Sequence, residues 1–347
     1  MNIWICAGAA LLSFLLTWLL GYWLIPLLHK LRYGQTILEI GPKWHKAKKE
    51  GTPTMGGISF IIAVTVCFAA GMIIFAKNGA SFAGDDKPEF IRSVSGMIMA
   101  VMFGLMGFLD DFIKVRKKHN EGLSWIQKVI FQVMIIAAYF ATMFISGLSQ
   151  TVISFPWGWQ WDLGWFYYPL IGLVILYMVN AVNLTDGIDG LCSSVTVVYM
   201  TAFTVITAVL GMFGQQLLAY CAAGGCIGFL MWNAPPAKVF MGDTGSMFLG
   251  GIVCALGLGR GCEVLMIIAG IVYVLEALSV VIQSTVFKIT KKINHTNEGK
   301  RLFKMTPIHH HFELSSWSEF KIGGVFSLVG LLAGGLAVWL AFIMYSK

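Results

Sequence analysis

Charge is what this sequence has least of. Asp, Glu, Lys and Arg make up 12% of its 347 residues, about half the share usual in a soluble globular chain. That scarcity argues against a water-soluble fold. Cysteine pairs at metal or redox spacing are missing too. The seven cysteines (Cys6, Cys67, Cys192, Cys221, Cys226, Cys254 and Cys262) form no CxxC and nearly all sit in apolar runs. They are expected to be buried, inert thiols, without a disulfide framework or a zinc site. No GxxxxGK[ST] occurs, so there is no P-loop. No internal repeat or low-complexity tract is present, which counts against a transporter built from inverted repeats. The net charge of +7 lies in short loops rather than on one face. It therefore concerns membrane topology and not nucleic acid.

What the chain has instead is apolar residues, 57% of the total. They fall into ten segments, roughly 3–28, 55–76, 93–109, 126–147, 167–182, 191–213, 215–232, 247–259, 264–287 and 321–344. The expected fold is an all-α polytopic membrane bundle of about ten transmembrane helices, forming one integral domain over 1–347. The first segment is too long for a signal peptide and lacks a small-residue cleavage pattern, so it stays as a span. Segments 167–182 and 247–259 are short for a bilayer that needs about 20 helical residues. Each abuts a polar motif, as a helix does when it begins or ends inside the protein around a wet cavity. Residues 149–166 combine Pro156, Gly158 and Gly164 with four tryptophans, which predicts a small hairpin at the membrane interface.

Basic residues orient the bundle. With ten spans, the loops on one side carry 19 Lys and Arg and the other side carries 5. The basic side is therefore read as cytoplasmic, with both termini external. Every acid-rich motif falls on that side, beside a helix end. Asp110 and Asp111 end the third segment, with Lys114 on the same side of the helix if it continues. Asp186 and Asp189 follow the fifth segment, and Asp243 precedes the eighth within residues 240–246, FMGDTGS. Carboxylates beside lipid are costly unless a cation neutralises them, and an oxygen-only donor set suits Mg²⁺ or Mn²⁺. His309, His310 and His311 are consecutive, so one or two at most face a common point, as donors to phosphate oxygens. Glycines at 187, 190, 242 and 245 let loop backbone approach a ligand. Carboxylates, Lys and His at a membrane face indicate chemistry on a diphosphate, where positioning and charge neutralisation dominate. A proton- or cation-coupled transporter is the reading from another class, but it would hold acids near the bilayer midplane. Only Glu276 lies deep in a segment, and it is read as a kink or groove residue.

Five motifs then carry a resemblance: PTMGG at 53–57, DDxxK at 110–114, NxxNLTDGxDG at 180–190, NxPPAxxFMGDTGS at 233–246 and PxHHHxE at 307–313. In this order, over essentially the whole chain, they resemble the bacterial phospho-N-acetylmuramoyl-pentapeptide-transferases, within the polyprenyl-phosphate N-acetylhexosamine-1-phosphate transferase superfamily. The triple-His motif separates that branch from relatives using UDP-N-acetylglucosamine, the closest enzymatic alternative. The resemblance implies a Mg²⁺-dependent reaction of UDP-N-acetylmuramoyl-pentapeptide with undecaprenyl phosphate, giving lipid I and UMP. It also implies a homodimer in the bacterial cytoplasmic membrane, with the active site on the cytoplasmic face.

By the same resemblance Asp243 ligates Mg²⁺, Asp110 and Asp111 are the catalytic pair with Lys114 beside them, and the His309–His311 loop helps close the site. Uridine contacts fall on Lys49, Thr54, Asn183, Asp186, Gly187, Asp189, Asn233 and Phe240, and Asn180 is counted with the substrate-binding set. Two schemes stay open: direct attack by the lipid phosphate, or a covalent phospho-aspartyl intermediate on Asp111 or Asp110. A phosphate monoester with a second pKa of about 6 is mostly dianionic at neutral pH, which favours direct attack.

Overall fold

A backbone in lipid must satisfy its own N–H and C=O groups, so the apolar runs fold as helices. The computed structural model describes residues 2–31, 51–77, 87–117, 122–293 and 298–345. In chain order the helices are α1 (Asn2–Lys30), α2 (Gly57–Lys77), α3 (Lys87–Lys117), α4 (Trp125–Ile145), α5 (Tyr167–Thr185) and α6 (Leu191–Val209). They continue as α7 (Phe213–Asn233), α8 (Gly242–Gly257), α9 (Glu263–Ala269), α10 (Ile271–Ile293), α11 (Ile308–Glu313) and α12 (Glu319–Tyr345). Among the described residues nine helices are long and apolar enough to cross a membrane. These are all except α8, α9 and α11. The outward surface carries Trp4, Leu11, Ile74 and Leu332, each more than a third exposed. An apolar girdle of that extent belongs in lipid rather than water. The buried side chains form one continuous core.

The short eighth segment is the centre of the bundle. Helix α8 has 16 residues, about 24 Å at 1.5 Å per residue, less than the ~30 Å of a hydrocarbon layer. Every residue from Thr244 to Gly257 is buried. Helices α3 and α5 lie against it along most of its length. Small residues permit this: a Cβ at Gly251 would fall 2.5 Å from the Ala100 Cα of α3. The segment read as one run over 264–287 is two helices, α9 and α10, parted at Gly270. Glycine is among the weakest helix formers. The Met266 carbonyl and the Met178 side chain also crowd the spot where its Cβ would sit.

The expected hairpin is present. Strands β1 (Val152–Ser154) and β2 (Gln160–Asp162) pair antiparallel, with Val152 opposite Asp162 and Ile153 opposite Trp161. Gly158 and Trp157 take positive φ in the turn. Trp157, Trp159, Trp161 and Trp165 are exposed. A carboxylate absent from the sequence-based reading anchors the segment. Buried Glu263 accepts hydrogen bonds through Oε1 from Tyr167 Oη at 2.5 Å and from Gln150 Nε2 at 3.1 Å.

Candidate active site

At the opposite end from the hairpin, the start of α2, the C-terminal part of α3, the start of α4, the end of α5 and the start of α8 converge. Helix α3 runs on past its apolar stretch and carries Asp110 and Asp111, both buried, into this junction. One turn later Lys114 bends back over them. Its Nζ lies 2.6 Å from Asp110 Oδ2, 3.9 Å from Asp111 Oδ1 and 2.9 Å from Asp243 Oδ2. The helical spacing read in the sequence thus holds, and it extends to a third carboxylate.

A second ammonium group arrives from α4. Ser124 and Gln127 form a reciprocal capping box that fixes the start of this helix. Lys128 follows and reaches across, its Nζ 2.9 Å from Asp110 Oδ2 and 3.0 Å from Asp243 Oδ2. The Leu123 N–H donates to Asp110 Oδ1 at 2.7 Å, so both oxygens of Asp110 are engaged.

Helix α8 brings Asp243. Gly242 takes φ +72°, a left-handed turn that suits glycine, and packs against Asp111 and Thr54. The Asp243 carbonyl lies against Gly107 of α3, where any Cβ would overlap it. Asn183, at the end of α5, donates to Asp243 Oδ1 at 2.8 Å and to Ser246 Oγ at 2.8 Å. The Thr244 N–H and Oγ1 donate to Asp111 Oδ2 at 2.9 and 2.7 Å. Burial pushes the Asp243 carboxyl up, but Lys114, the hydrogen-bonded Asp110 and Lys128 outweigh it and hold the group well below the usual carboxylate range.

Asp110, Asp111 and Asp243 each offer an oxygen within 4.8 Å of the others. Three carboxyl groups thus face two ammonium groups. Both Nζ atoms already bridge Asp110 Oδ2 and Asp243 Oδ2, where a cation is welcome. The all-oxygen donor set and the cations standing beside it fit a hard divalent ion such as Mg²⁺.

The remaining expected residues divide by distance from this cluster. Thr54 is buried beside Gly242. Phe240 holds the start of α2 by backbone pairing, donating to the Pro53 carbonyl and accepting from the Gly56 N–H, both at 2.9 Å. Its ring is partly buried.

Asp189 and Asn233 bind loop to loop. Asp189 Oδ2 accepts from the Ala237 N–H at 2.9 Å. Asn233 accepts from the Gly190 N–H at 3.1 Å and donates to the Val239 carbonyl at 2.9 Å, which commits its amide to backbone. Asn180 pairs with Gln132 of α4 at 2.9 Å. Asp186 caps α5, and Gly187 lies against His309. Lys49 lies outside the described residues.

The three histidines diverge, as consecutive residues must. His309 is fully buried, with Nδ1 3.0 Å from Glu276 Oε2. Its Nε2 points at Gly187. His310 pairs with Glu313 at 3.0 Å, and His311 Nδ1 accepts from the Lys304 N–H at 3.2 Å. Glu276, read as a kink or groove residue, is the partner that orients His309. Lys128, Gln132, Thr244, Ser246 and this role of Glu276 are absent from the sequence-based set. The spacing of Glu276 and His309, 33 residues apart on different elements, carries no local signal.

Fold and site together define a polytopic helical membrane protein with a carboxylate–ammonium centre at one end of its bundle. A family model described as glycosyl transferase family 4 matches residues 93–260. A second, described as phospho-N-acetylmuramoyl-pentapeptide-transferase signature 1, matches residues 49–61. The chain is 43% identical to the phospho-N-acetylmuramoyl-pentapeptide-transferase of Desulforamulus reducens, covering 97% of each chain. It is 43% identical to the protein of that name from Acetivibrio thermocellus, over 93% of this chain and 91% of the relative. With its namesake in Geobacillus kaustophilus the identity is 42%, over 96% of both. The chain belongs to the phospho-N-acetylmuramoyl-pentapeptide-transferase family and is a phosphoglycosyl transferase.

Proposed function

We propose that this enzyme transfers phospho-N-acetylmuramoyl-pentapeptide from UDP-N-acetylmuramoyl-pentapeptide to undecaprenyl phosphate, forming lipid I and releasing UMP with Mg²⁺ as cofactor. The observation carrying this reading is the Asp110–Lys114–Lys128–Asp243 cluster at the basic end of a membrane bundle. One substrate is a soluble nucleotide sugar with a dianionic diphosphate and the other is a lipid, so a site at a helix-end junction meets both. The basic side is assigned to the cytoplasm, in the bacterial inner membrane. The bundle has ten spans when the enclosed α8 is counted with the nine longer helices.

In this reading an oxygen of the lipid phosphate forms a bond to the phosphorus attached to the sugar, and the bond from that phosphorus to the UMP oxygen breaks. Asp243, with Asp110 and Asp111 beside it, would hold Mg²⁺, which when bound supplies charge neutralisation at the diphosphate. Asn183 fixes the rotamer of Asp243, and Thr244 does so for Asp111. Lys114 and Lys128 hold the carboxylate oxygens that a cation competes for. In the loaded enzyme at least one ammonium group therefore turns to phosphate oxygens, which it binds as a point charge. Asp110 and Lys114 position the lipid phosphate or its proton. The Asp186–Gly187 turn and His309 flank the nucleotide, Thr54 and Phe240 lie near it, and Asp189 and Asn233 shape the loops that receive it.

The test uses purified enzyme with Mg²⁺, UDP-N-acetylmuramoyl-pentapeptide and undecaprenyl phosphate. UMP appears only when the lipid is present, and UDP-N-acetylglucosamine does not replace the sugar nucleotide. Equal turnover of both nucleotides would sink the substrate assignment. Asp243→Ala is expected to abolish transfer while leaving a folded protein, and retained Mg²⁺-dependent activity would overturn the role given to Asp243.

A further inference from the structure

A reciprocal amide pair ties α4 to α5 one helical turn away from Lys128. Asn180 Nδ2 donates to Gln132 Oε1 at 2.9 Å, and Gln132 Nε2 donates back to Asn180 Oδ1 at 3.3 Å. The second Asn180 amide proton goes to the Leu176 carbonyl at 2.7 Å, and the second Gln132 proton points at Met247 Sδ of α8, 3.9 Å away. Both amides are thus engaged inside the bundle, and Gln132 is 1% exposed. A buried polar network satisfied in this way holds its helices rigidly. Asn180 keeps no amide proton for a nucleotide.

Lys128 and Gln132, four residues apart, share one face of α4. The residues that α4 buries are Gln132, Ile135, Ile136, Tyr139 and Met143, so Gln132 comes first and is the only amide among them. Around it Ile126, Val129, Ile130 and Val133 are exposed. Lipid tails resemble such side chains, so that surface gives the helix no preferred rotation about its axis. Directional bonds must supply one. A side-chain end stands roughly 5–6 Å from a helix axis, so a turn of about 20° carries it about 2 Å. That is enough to part Lys128 Nζ from Asp110 and Asp243, which it meets at 2.9 and 3.0 Å. Helix α5 is the common reference. Asn183, one turn beyond Asn180, donates to Asp243 and Ser246. One asparagine therefore fixes the helix that brings an ammonium group, and the next fixes the carboxylate it faces.

We propose that Gln132 and Asn180 are positioning residues, which set the rotation of α4 and so hold Lys128 at the reacting phosphates. Asn180 then acts through α4 and not on the nucleotide. This rests on the reaction proposed above.

Replacing both partners of a buried hydrogen bond by apolar groups of similar shape can be nearly neutral for stability. The double variant Gln132→Leu/Asn180→Leu should therefore melt in detergent close to the unmodified enzyme. Its kcat should nevertheless fall about tenfold, within what a misplacement of ~1 Å produces, with KM for the nucleotide sugar unchanged. Gln132→Leu alone should lower kcat as well. Full activity of Gln132→Leu, with a raised nucleotide-sugar KM in Asn180→Leu, would make Asn180 a direct contact and overturn the proposal. Added to Lys128→Ala, the double substitution should cost nothing further; the same loss on that background would show that the pair acts elsewhere. The exchange Gln132→Asn/Asn180→Gln keeps the pair and should recover most of the rate, and a rate no better than that of the double variant would count against the pairing.

A second measurement needs no turnover. Nitroxide labels on Lys117→Cys and Trp125→Cys, at the end of α3 and the start of α4, report how the two helices sit against each other. Their distance distribution should be narrow with the amide pair intact and should broaden or shift when Gln132→Leu and Asn180→Leu are introduced. An unchanged distribution would overturn the proposal. Absence of UMP release by the unmodified enzyme would instead count against the reaction, while the label distances would still report on the pair.

Discussion

Lys128 is the residue whose importance depends most on the fold. In the sequence it is one basic residue among several in a loop, where it counts toward orientation and nothing more. In the structure it meets Asp110, 18 residues away, and Asp243, 115 residues away. Removing it leaves buried carboxylates short of a counter-charge, which is strongly destabilising for a buried pair. Lys128→Ala is expected to lower kcat/KM about 10²-fold or more, the scale of losing one preorganised charge at a reacting phosphate. Lys128→Arg should restore part of that, and steady-state kinetics with the nucleotide sugar and prenyl phosphate would measure both. Asp110→Asn separates two tasks. A normal rate at high pH with loss at low pH identifies proton removal, whereas a loss independent of pH identifies positioning, and full activity throughout would eliminate both. Asp243 should not contribute to such a profile. Its carboxyl is held below the ordinary range, so its ion pairs are fully present above the unfolded carboxylate pKa of about 3.9. They are lost only as pH falls through the lower folded value.

At the scale of elements, the site depends on how closely α3 and α8 approach. Gly107 permits contact with the backbone of Asp243, and an added methyl would have to displace a carbonyl rather than a side chain. Gly107→Ala should therefore cost about 1–3 kcal/mol, lower the melting temperature in detergent, and reduce transfer by shifting Asp243 relative to Asp110. Unaltered melting and activity would show that the helices have slack. The spans themselves were legible in the sequence, because lipid burial demands long apolar runs whatever their partners. The division at Gly270 was not, since a glycine leaves the apolar character of 264–287 intact and the crowding by Met178 and Met266 comes from packing. The centrality of α8 was equally hidden: a short run reads as a truncated span until the helices enclosing it are known. Asp110, Asp111, Lys114 and Asp243 were legible as members of one cluster because motifs and helical spacing are local, whereas Asn183, expected by resemblance at the uridine, holds Asp243 in the structure. Lys128 and the Glu276–His309 pair depend on contacts between distant segments, and no periodicity encodes those.

For the whole molecule, the basic asymmetry of 19 against 5 has a direct consequence. If the carboxylate end faces the cytoplasm, alkaline phosphatase joined after Lys347 should be active outside the cell, and the same enzyme joined after Lys117 should be inactive. The opposite pattern would invert the bundle and put the nucleotide site on the wrong side of its substrate. One continuous core lies between the two ends of the bundle, Glu263 beneath the hairpin and Asp243 among the lysines.

The seven cysteines are all free and all buried. A maleimide dye applied to the folded protein meets no accessible native thiol. A single cysteine introduced into any loop thus becomes the sole point of labelling, with none of the native seven replaced, so the molecule is already suited to site-by-site fluorescence and spin-probe measurements.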